Sequence, residues 1–122
     1  MSPQDLFAEA QRLSRLIDAG VEALREQSKA LAEAEREYRK AKAEAWVKCP
    51  RDEAGSRDWT AGRREAWVDA ETADLRYHRD IADGMRSAAL EAVRARRTQV
   101  SVLQSLMNAE REEAAFSRVG PT

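Results

Sequence analysis

The stretch that decides the fold is residues 5–45, DLFAEAQRLSRLIDAGVEALREQSKALAEAEREYRKAKAEA. Along it, positions on one side of a helix recur at alternating intervals of four and three residues. Only Gly20 and Gln27 depart from an apolar type at these positions, and the residues between them are mostly charged, Gln or Ala. An apolar period of about 3.5 residues, sustained this long, predicts a long helix with a coiled-coil contact face. The predicted contact positions are Leu6, Ala10, Leu13, Ile17, Gly20, Leu24, Gln27, Leu31, Ala34, Tyr38, Ala41 and Ala45.

The ends of this first helix are marked by local signals. Ser2 is suited to cap the helix, Pro3 fits its first position, and Asp5 stands three residues after Ser2 as in a capping box. Pro50 ends the helix because proline cannot donate a backbone hydrogen bond and restrains the residue before it. The first helix is therefore predicted at about 3–47.

A turn is predicted at about 48–58, where Pro, Gly, Ser and Asp stand close together. Asp58 or Thr60 is suited to cap a second helix. That helix is predicted at about 59–118, because a Gly-Pro pair follows as a stop signal.

The contact face predicted for the second helix is rich in alanine. Two successive steps of four, at Tyr77 and Ile81, form a stutter, which locally unwinds a supercoil. Gly84 lies just beyond and is a candidate for a kink, because a glycine within a helix costs about 1 kcal/mol relative to alanine. The predicted face comprises Ala66, Ala70, Ala73, Tyr77, Ile81, Met85, Ala88, Ala92, Ala95, Gln99, Val102, Leu106, Ala109, Glu113 and Phe116. Apolar residues outside it are Leu75, Leu90, Val93, Val100, Leu103 and Met107.

Two long helices joined by a short turn are expected to lie antiparallel, as one helical-hairpin domain spanning 1–122. A turn centred near residue 53 places Gly20 opposite the region of Ser87, and Gly84 opposite the region of Ala23. The second helix is the longer, so its C-terminal end is expected to overhang. A two-helix contact buries little apolar surface, and small chains with thin cores usually oligomerise. The predicted fold class is therefore an all-α antiparallel helical hairpin, or coiled coil, that assembles into a four-helix bundle by self-association.

The composition agrees with long helices. Of 122 residues, 35% are charged, with 21 Lys+Arg against 22 Asp+Glu, and there are only 5 Gly and 3 Pro. Cys49 is the single cysteine, so no intrachain disulfide can form. No apolar run approaches the roughly 20 residues of a membrane span, and the first residues lack the pattern of a signal peptide. A cytoplasmic location without a membrane partner is expected.

All three tryptophans of the chain fall near the predicted turn, together with several arginines. Trp and Arg dominate interface hot spots, so this end of the hairpin is a candidate partner-binding tip. The alternative is a small core that closes the hairpin, which we favour for Trp46 and Trp67, whereas Trp59 is the better binding candidate. The candidate tip residues are Trp59, Arg57, Arg51 and Arg63.

A second cluster of arginines lies in the middle of the second helix, at Arg86, Arg94, Arg96 and Arg97. A basic stripe on a helix can contact phosphates, which makes these residues candidates for binding nucleic acid. The alternative is a solvated helical face whose arginine stems cover apolar surface. The formal net charge of −1 favours the alternative.

The residues that could carry catalysis or bind a metal are few. His78 is the only histidine, and with Asp74 it supplies two ligands, which do not make a metal site. Cys49 stands near Lys48 and Arg51, which favours the thiolate, but no base is expected within reach. No glycine-rich phosphate loop or nucleophile motif is present. We therefore expect a protein without catalytic activity, cofactor or metal.

The sequence AEAEREYRKA (32–41), then Trp46, a short polar turn and an Ala- and Arg-rich helix ending QSLMNAE (104–110) resemble a class of small helical proteins. These are encoded by double-stranded DNA phages of GC-rich hosts, and the resemblance spans about 30–112. It implies a location in the host-cell cytoplasm. Some such proteins are encoded near DNA replication or recombination genes, which implies a possible role with nucleic acid. It assigns no functional residue.

The sequence therefore predicts a non-enzymatic coiled-coil module for protein–protein interaction, which serves as a scaffold, adaptor or inhibitor. Its partners are expected to be a second copy of itself and an unidentified protein. The binding surface is expected at the tip or at the C-terminal overhang. The alternative is an accessory nucleic-acid-binding protein in phage DNA replication or recombination.

Overall fold

A computed structural model of the chain describes residues 2–50 and 59–119. It contains the helices α1 (Pro3–Lys48), α2 (Ala61–Glu71) and α3 (Ala73–Val119), and no strand occurs in the described ranges. The predicted all-α class is confirmed, and the long α1 packs against α3 in a hairpin-like arrangement. Most of the predicted turn lies at 51–58, outside the described residues.

α1 begins with a reciprocal cap. The Asp5 N–H donates to Ser2 Oγ over 3.1 Å, and the Ser2 N–H donates to Asp5 Oδ2 over 3.2 Å. The Leu6 N–H donates to the Ser2 carbonyl oxygen over 3.0 Å. The hydrogen bonds from the Ser2 hydroxyl and then from its backbone lower the pKa of the Asp5 carboxyl. The predicted capping box is confirmed, and it satisfies backbone donors that have no partner inside the helix.

The contact face predicted for α1 is confirmed by burial. All twelve predicted positions are buried or partly buried. Leu6, Leu13, Tyr38 and Ala45 are the most deeply buried of them. The period of the apolar residues alone was therefore sufficient to identify this face of α1.

The segment predicted as one second helix is divided at Thr72. α2 begins at the cap residue Thr60, whose Oγ1 accepts the Arg63 N–H over 3.2 Å. At its other end, the Thr72 N–H and hydroxyl both donate to the Val68 carbonyl oxygen, over 3.0 and 2.7 Å. A threonine hydroxyl that bonds back to the preceding turn tends to bend a helix. The interruption therefore falls at Thr72, and α3 is continuous through Gly84.

Two compact units make up the chain. Unit 1 comprises Met1–Arg25 with Ala88–Thr122, and unit 2 comprises Glu26–Ser87. In unit 1, α1 and α3 pack antiparallel around a buried cluster of leucines, against which other apolar side chains lie partly buried. The cluster is Leu6, Leu13 and Leu103, with Ala10, Leu16, Val100 and Met107 against it. In unit 2, the buried residues are Tyr38, Ala45, Val68 and Thr72.

The contact face predicted for the second helix is wrong, because every residue of that stripe is exposed. The observed face lies one or two residues further along the chain, which rotates it by about 100–200° around the helix axis. In unit 2 it comprises Val68, Thr72, Leu75, Arg79, Ala82 and Arg86. In unit 1 it comprises Ala89, Val93, Arg96, Val100, Leu103, Met107 and Glu110. These positions also alternate by four and three, but arginines occupy three of them and conceal the pattern.

The predicted pairing of the glycines is also wrong. A Cβ built on Gly20 meets Cγ2 of Val93 at 3.0 Å, which shifts the register six residues from the expected Ser87. Val93 is almost fully buried, so Gly20 permits a close approach of α1 and α3 in unit 1. A Cβ built on Gly84 meets nothing within 4 Å.

The two glycines are expected to respond oppositely to alanine. Gly84→Ala should raise the free energy of unfolding by about 1 kcal/mol, because alanine favours the helix and the space is open. Gly20→Ala brings the same helical gain but compresses the contact with Val93, so its stability should fall below that of Gly84→Ala. Urea titration followed by circular dichroism measures both. A gain of equal size at both positions would contradict the close approach at Gly20.

Candidate protein–protein interface

Two of the four residues of the predicted partner-binding tip, Trp59 and Arg63, lie within the described residues. The Arg63 guanidinium lies 3.9 Å from the centre of the Trp59 ring, a cation–π contact at the start of α2. Arg63 is exposed, and Trp59 is partly buried. The structure brings these two candidates together, whereas Arg51 and Arg57 lie outside the described residues.

Trp46 makes a different contact within unit 2. The Arg64 guanidinium lies 5.2 Å from its ring centre, and Arg64 Nη2 donates to the Trp46 carbonyl oxygen over 3.4 Å. That carbonyl belongs to the last turn of α1, where it has no partner inside the helix. Trp46 and Trp67 are both partly buried. For Trp46, the interpretation as part of the packing at the end of α1 accounts for these contacts.

The four candidate phosphate-binding arginines occupy different environments. In unit 2, Arg86 is partly buried on the contact face, and its Nε donates to Ser28 Oγ over 3.2 Å. In unit 1, Arg96 is likewise partly buried on the contact face. Arg94 is exposed and forms an ion pair with Glu91 at 3.0 Å, and Arg97 is exposed. Arg94 and Arg97 are therefore the two exposed candidates.

The candidate catalytic and metal residues are isolated. His78 is exposed, with its ring centre 6.1 Å from that of Tyr77. The Cys49 Sγ is 3.7 Å from the Pro50 carbonyl oxygen. Across 2–50 and 59–119, no group of three or more His, Cys, Asp or Glu side chains is placed to hold a metal ion.

A row of residues on α3, apolar except for Gln99, remains uncovered in unit 1. Each member precedes a contact-face residue by one position, so the row lies beside the contact with α1. Val102 is 55% exposed and Leu106 is 49% exposed, although both are aliphatic. We call this row the apolar flank: Ala88, Ala92, Ala95, Gln99, Val102, Leu106 and Ala109.

An open groove of about 390 Å³ runs between the apolar flank and α1. Arg12 donates from its guanidinium to both carboxylate oxygens of Glu9 at the edge of this groove. The hydrogen bond to Arg12 lowers the pKa of Glu9, and the same bond raises that of Arg12. Further along α1, Leu16, Ala19 and Ala23 follow Arg12 at helical spacing on the same side. The groove is lined by Glu9, Arg12, Leu13, Thr98, Gln99, Val102 and Leu103.

The opposite side of α3 in unit 1 is polar. The residues that follow the contact face by one position are, after Leu90, entirely polar and exposed: Arg94, Arg97, Ser101, Gln104, Asn108 and Arg111. The polar side of α3 is well solvated, whereas the apolar flank exposes aliphatic side chains to water. Such an unequal division is typical of a helix that packs against a further neighbour.

Three further features lie elsewhere in the described structure. In unit 2, Tyr77, Ile81 and Met85 are exposed on α3. Also in unit 2, the buried ring of Tyr38 lies beneath Arg79, whose guanidinium is 4.6 Å from the ring centre, and Lys42, whose Nζ is 5.9 Å from it. At the end of α3, Arg111–Arg118 are all exposed, and they include Phe116 at 78%. This exposure agrees with the predicted C-terminal overhang.

Comparison of the chain with known protein families, with curated proteins and with solved structures gives no match. None of the helices, as far as residues 2–50 and 59–119 describe them, is long and apolar enough to cross a membrane.

Proposed function

We propose that the chain is a non-enzymatic protein–protein interaction module that works as a pair of hairpins joined in a four-helix bundle. The observation that carries this proposal is the exposed apolar flank of α3, opposed by a polar side on the same helix. The occupant proposed for the flank is a second copy of the chain. Isologous pairing is the commonest form of assembly, and it covers the same surface on both copies at once.

The thin core supports the same proposal. Among the described residues, the buried apolar side chains are Leu6, Leu13, Tyr38, Ala45, Val68, Val93 and Leu103. So few buried side chains provide little stability against the conformational entropy of a chain of this length. Pairing adds a second layer and encloses Val102 and Leu106, whose burial strengthens the fold and the association together.

Pairing also suits a scaffold or adaptor, because a dimer presents two copies of the Trp59–Arg63 tip. Two linked binding surfaces engage a repeated partner more strongly than one, through effective concentration. We propose the tip as the contact for an unidentified protein partner. The resemblance to phage proteins supports a phage origin and a location in the host cytoplasm, and both remain predictions.

The association is tested with Leu106→Glu, which places a charge in the proposed interface. We expect the dissociation constant of the dimer to rise at least tenfold, a change of about 1.4 kcal/mol. Gln104→Glu is the matched control, since Gln104 is exposed on the polar side of α3 and should leave association unchanged. Sedimentation equilibrium of the three proteins gives the constants. A wild-type chain that stays monomeric at every concentration, or equal effects of the two substitutions, contradicts the proposal.

The same samples also test the nucleic-acid alternative. Fluorescence anisotropy of labelled single- and double-stranded DNA should stay unchanged on adding the protein at low salt. Saturable binding that weakens steeply with salt and disappears in Arg97→Glu would replace the proposed interaction role with an accessory role on nucleic acid.

A further inference from the structure

We infer that the second copy docks in one orientation, with the two α3 helices antiparallel across the apolar flank. The two-fold axis then crosses unit 1 between Ala95 and Gln99 of α3, at the level of Leu16 in α1. This inference rests on the proposed self-association and specifies which residues meet in it.

The sizes of the flank residues select the antiparallel orientation. The first half of the flank is small, with Ala88, Ala92 and Ala95. In the second half, Gln99, Val102 and Leu106 are larger, and the flank ends at the small Ala109. Antiparallel pairing about the stated axis aligns every larger residue with a small one. Leu106 meets Ala88 of the second copy, Val102 meets Ala92, and Gln99 meets Ala95.

A parallel arrangement of the same two helices gives poorer packing. It places Leu106 against Leu106 and Val102 against Val102, while Ala88 and Ala92 each face their own copies. Layers of two large side chains hold the helices apart, so the alanine layers are left with voids. Protein interiors are close-packed, and unfilled space forfeits the contacts that would line it. The alternation of large on small favours the antiparallel pair.

The contact of Gly20 with Val93 fixes which part of α1 lies at the axis. Because α1 and α3 are antiparallel in unit 1, that register places Leu16 at the level of Arg97. Across the axis, Leu16 then meets Leu16 of the second copy. Moving outward, Arg12 meets Ala19 and Glu9 meets Ala23. The charged stems lie over alanines, and their heads stay at the solvated edge of the bundle.

A second two-fold arrangement, with α3 of one copy over α1 of the other, is disfavoured by charge. Val102 lines the groove at the same level as Glu9 and Arg12. Placing Val102 of one copy against the Glu9–Arg12 pair of the other would remove that pair from water without a new partner. Desolvation of an ion pair can cost more than its attraction returns, and a valine covers the pair more fully than the alanines do in the antiparallel arrangement.

Cysteine cross-linking tests the orientation. Ala92→Cys and Val102→Cys are each prepared in a Cys49→Ser background, so that the chain carries a single thiol. Oxidation of an equimolar mixture should join an Ala92→Cys chain to a Val102→Cys chain. Each variant alone should not cross-link, because like positions lie ten residues apart along the antiparallel helices. That separation is about 15 Å, whereas a disulfide requires Cα atoms within about 7 Å.

A second variant tests the axis independently. Leu16→Cys in the same background should cross-link with itself, because Leu16 lies on the two-fold axis. Circular dichroism of each variant establishes that the helices are retained, and sedimentation of each establishes that the dimer forms.

The outcomes separate the two proposals. A monomeric wild-type chain overturns the proposed function and this inference together. A dimer that cross-links within the Ala92→Cys or the Val102→Cys sample overturns the orientation and leaves self-association standing. A dimer in which a Val102→Cys chain joins an Arg12→Cys chain, prepared in the same background, also overturns the orientation. That cross-link places α3 of one copy over α1 of the other. Cross-linking of the mixture and of Leu16→Cys, with neither single variant at Ala92 or Val102 reacting, supports the antiparallel pair.

Discussion

Leu103→Ala is expected to lower the free energy of unfolding by about 3 kcal/mol, whereas Leu106→Ala, one helical turn away, should change it little in dilute solution. Leu103 is buried with Leu6 and Leu13 in the core of unit 1, and removing its side chain leaves a cavity there. Leu106 is half exposed on the apolar flank, so its truncation in a monomer removes few contacts. The pair is matched in chemistry and differs in the side of α3 that it occupies.

Urea titrations at two protein concentrations distinguish the roles of these leucines. The effect of Leu103→Ala should be the same at both concentrations, because its contacts lie within one chain. The effect of Leu106→Ala should grow at the higher concentration, where the dimer forms and stability is linked to association. If Leu106→Ala is the more damaging in dilute solution, the contact face of α3 is assigned to the wrong side.

The first helix was predictable because its contact face contains almost only apolar residues. Leu, Ile, Tyr and Ala mark that face at regular spacing, and Ser2 with Asp5 mark its start. Gly20 interrupts the apolar spacing, but it lies on the face as expected, because its missing side chain makes room for Val93. Hydrophobic period and capping act within a few residues, so they can be read from the chain without its tertiary contacts.

The second helix was mispredicted because arginines stand at three of its contact positions. A count of apolar residues scores Arg79, Arg86 and Arg96 as solvent-facing. In the structure, the Arg79 guanidinium packs over the Tyr38 ring, and Arg86 donates to Ser28. Arginine has a long apolar stem and can cover a contact while its head reaches a polar or aromatic partner. Only the residue of α1 that each arginine contacts reveals this role, and which residue that is depends on the register between α1 and α3.

The same error concealed the candidate interface. Val102 and Leu106 were recognised as members of an apolar stripe, but the stripe was interpreted as the contact within the hairpin. Once the contact with α1 is assigned to Val100, Leu103 and their neighbours, that stripe is left uncovered. A single helix with two adjacent apolar rows has one row for each neighbour, and the sequence does not say which neighbour is intramolecular. The break at Thr72 was also missed, because a threonine within a helical pattern gives no distinctive signal.

Tyr38→Ala is expected to be the most damaging single truncation in unit 2, at about 3–5 kcal/mol of the free energy of unfolding. Tyr38 is only 6% exposed, and Arg79 and Lys42 both pack over its ring. The substitution removes the ring from the contact between the helices and leaves both cations without their aromatic partner. Tyr38→Phe keeps the ring and should cost less than about 1.5 kcal/mol, because a cation–π contact does not need the hydroxyl.

Tyr77→Ala is the matched control, since Tyr77 lies on α3 of the same unit but is 64% exposed. Its truncation should cost less than about 1 kcal/mol, as is usual for exposed positions. Tyr38→Leu retains an apolar side chain without a π face, so its loss should fall between those of Tyr38→Phe and Tyr38→Ala. Its loss beyond that of Tyr38→Phe combines reduced burial with the lost attraction to the cations. Urea unfolding of the four variants gives this ranking directly. Equal losses for Tyr38→Ala and Tyr77→Ala would contradict the burial of Tyr38 between α1 and α3 and the exposure of Tyr77.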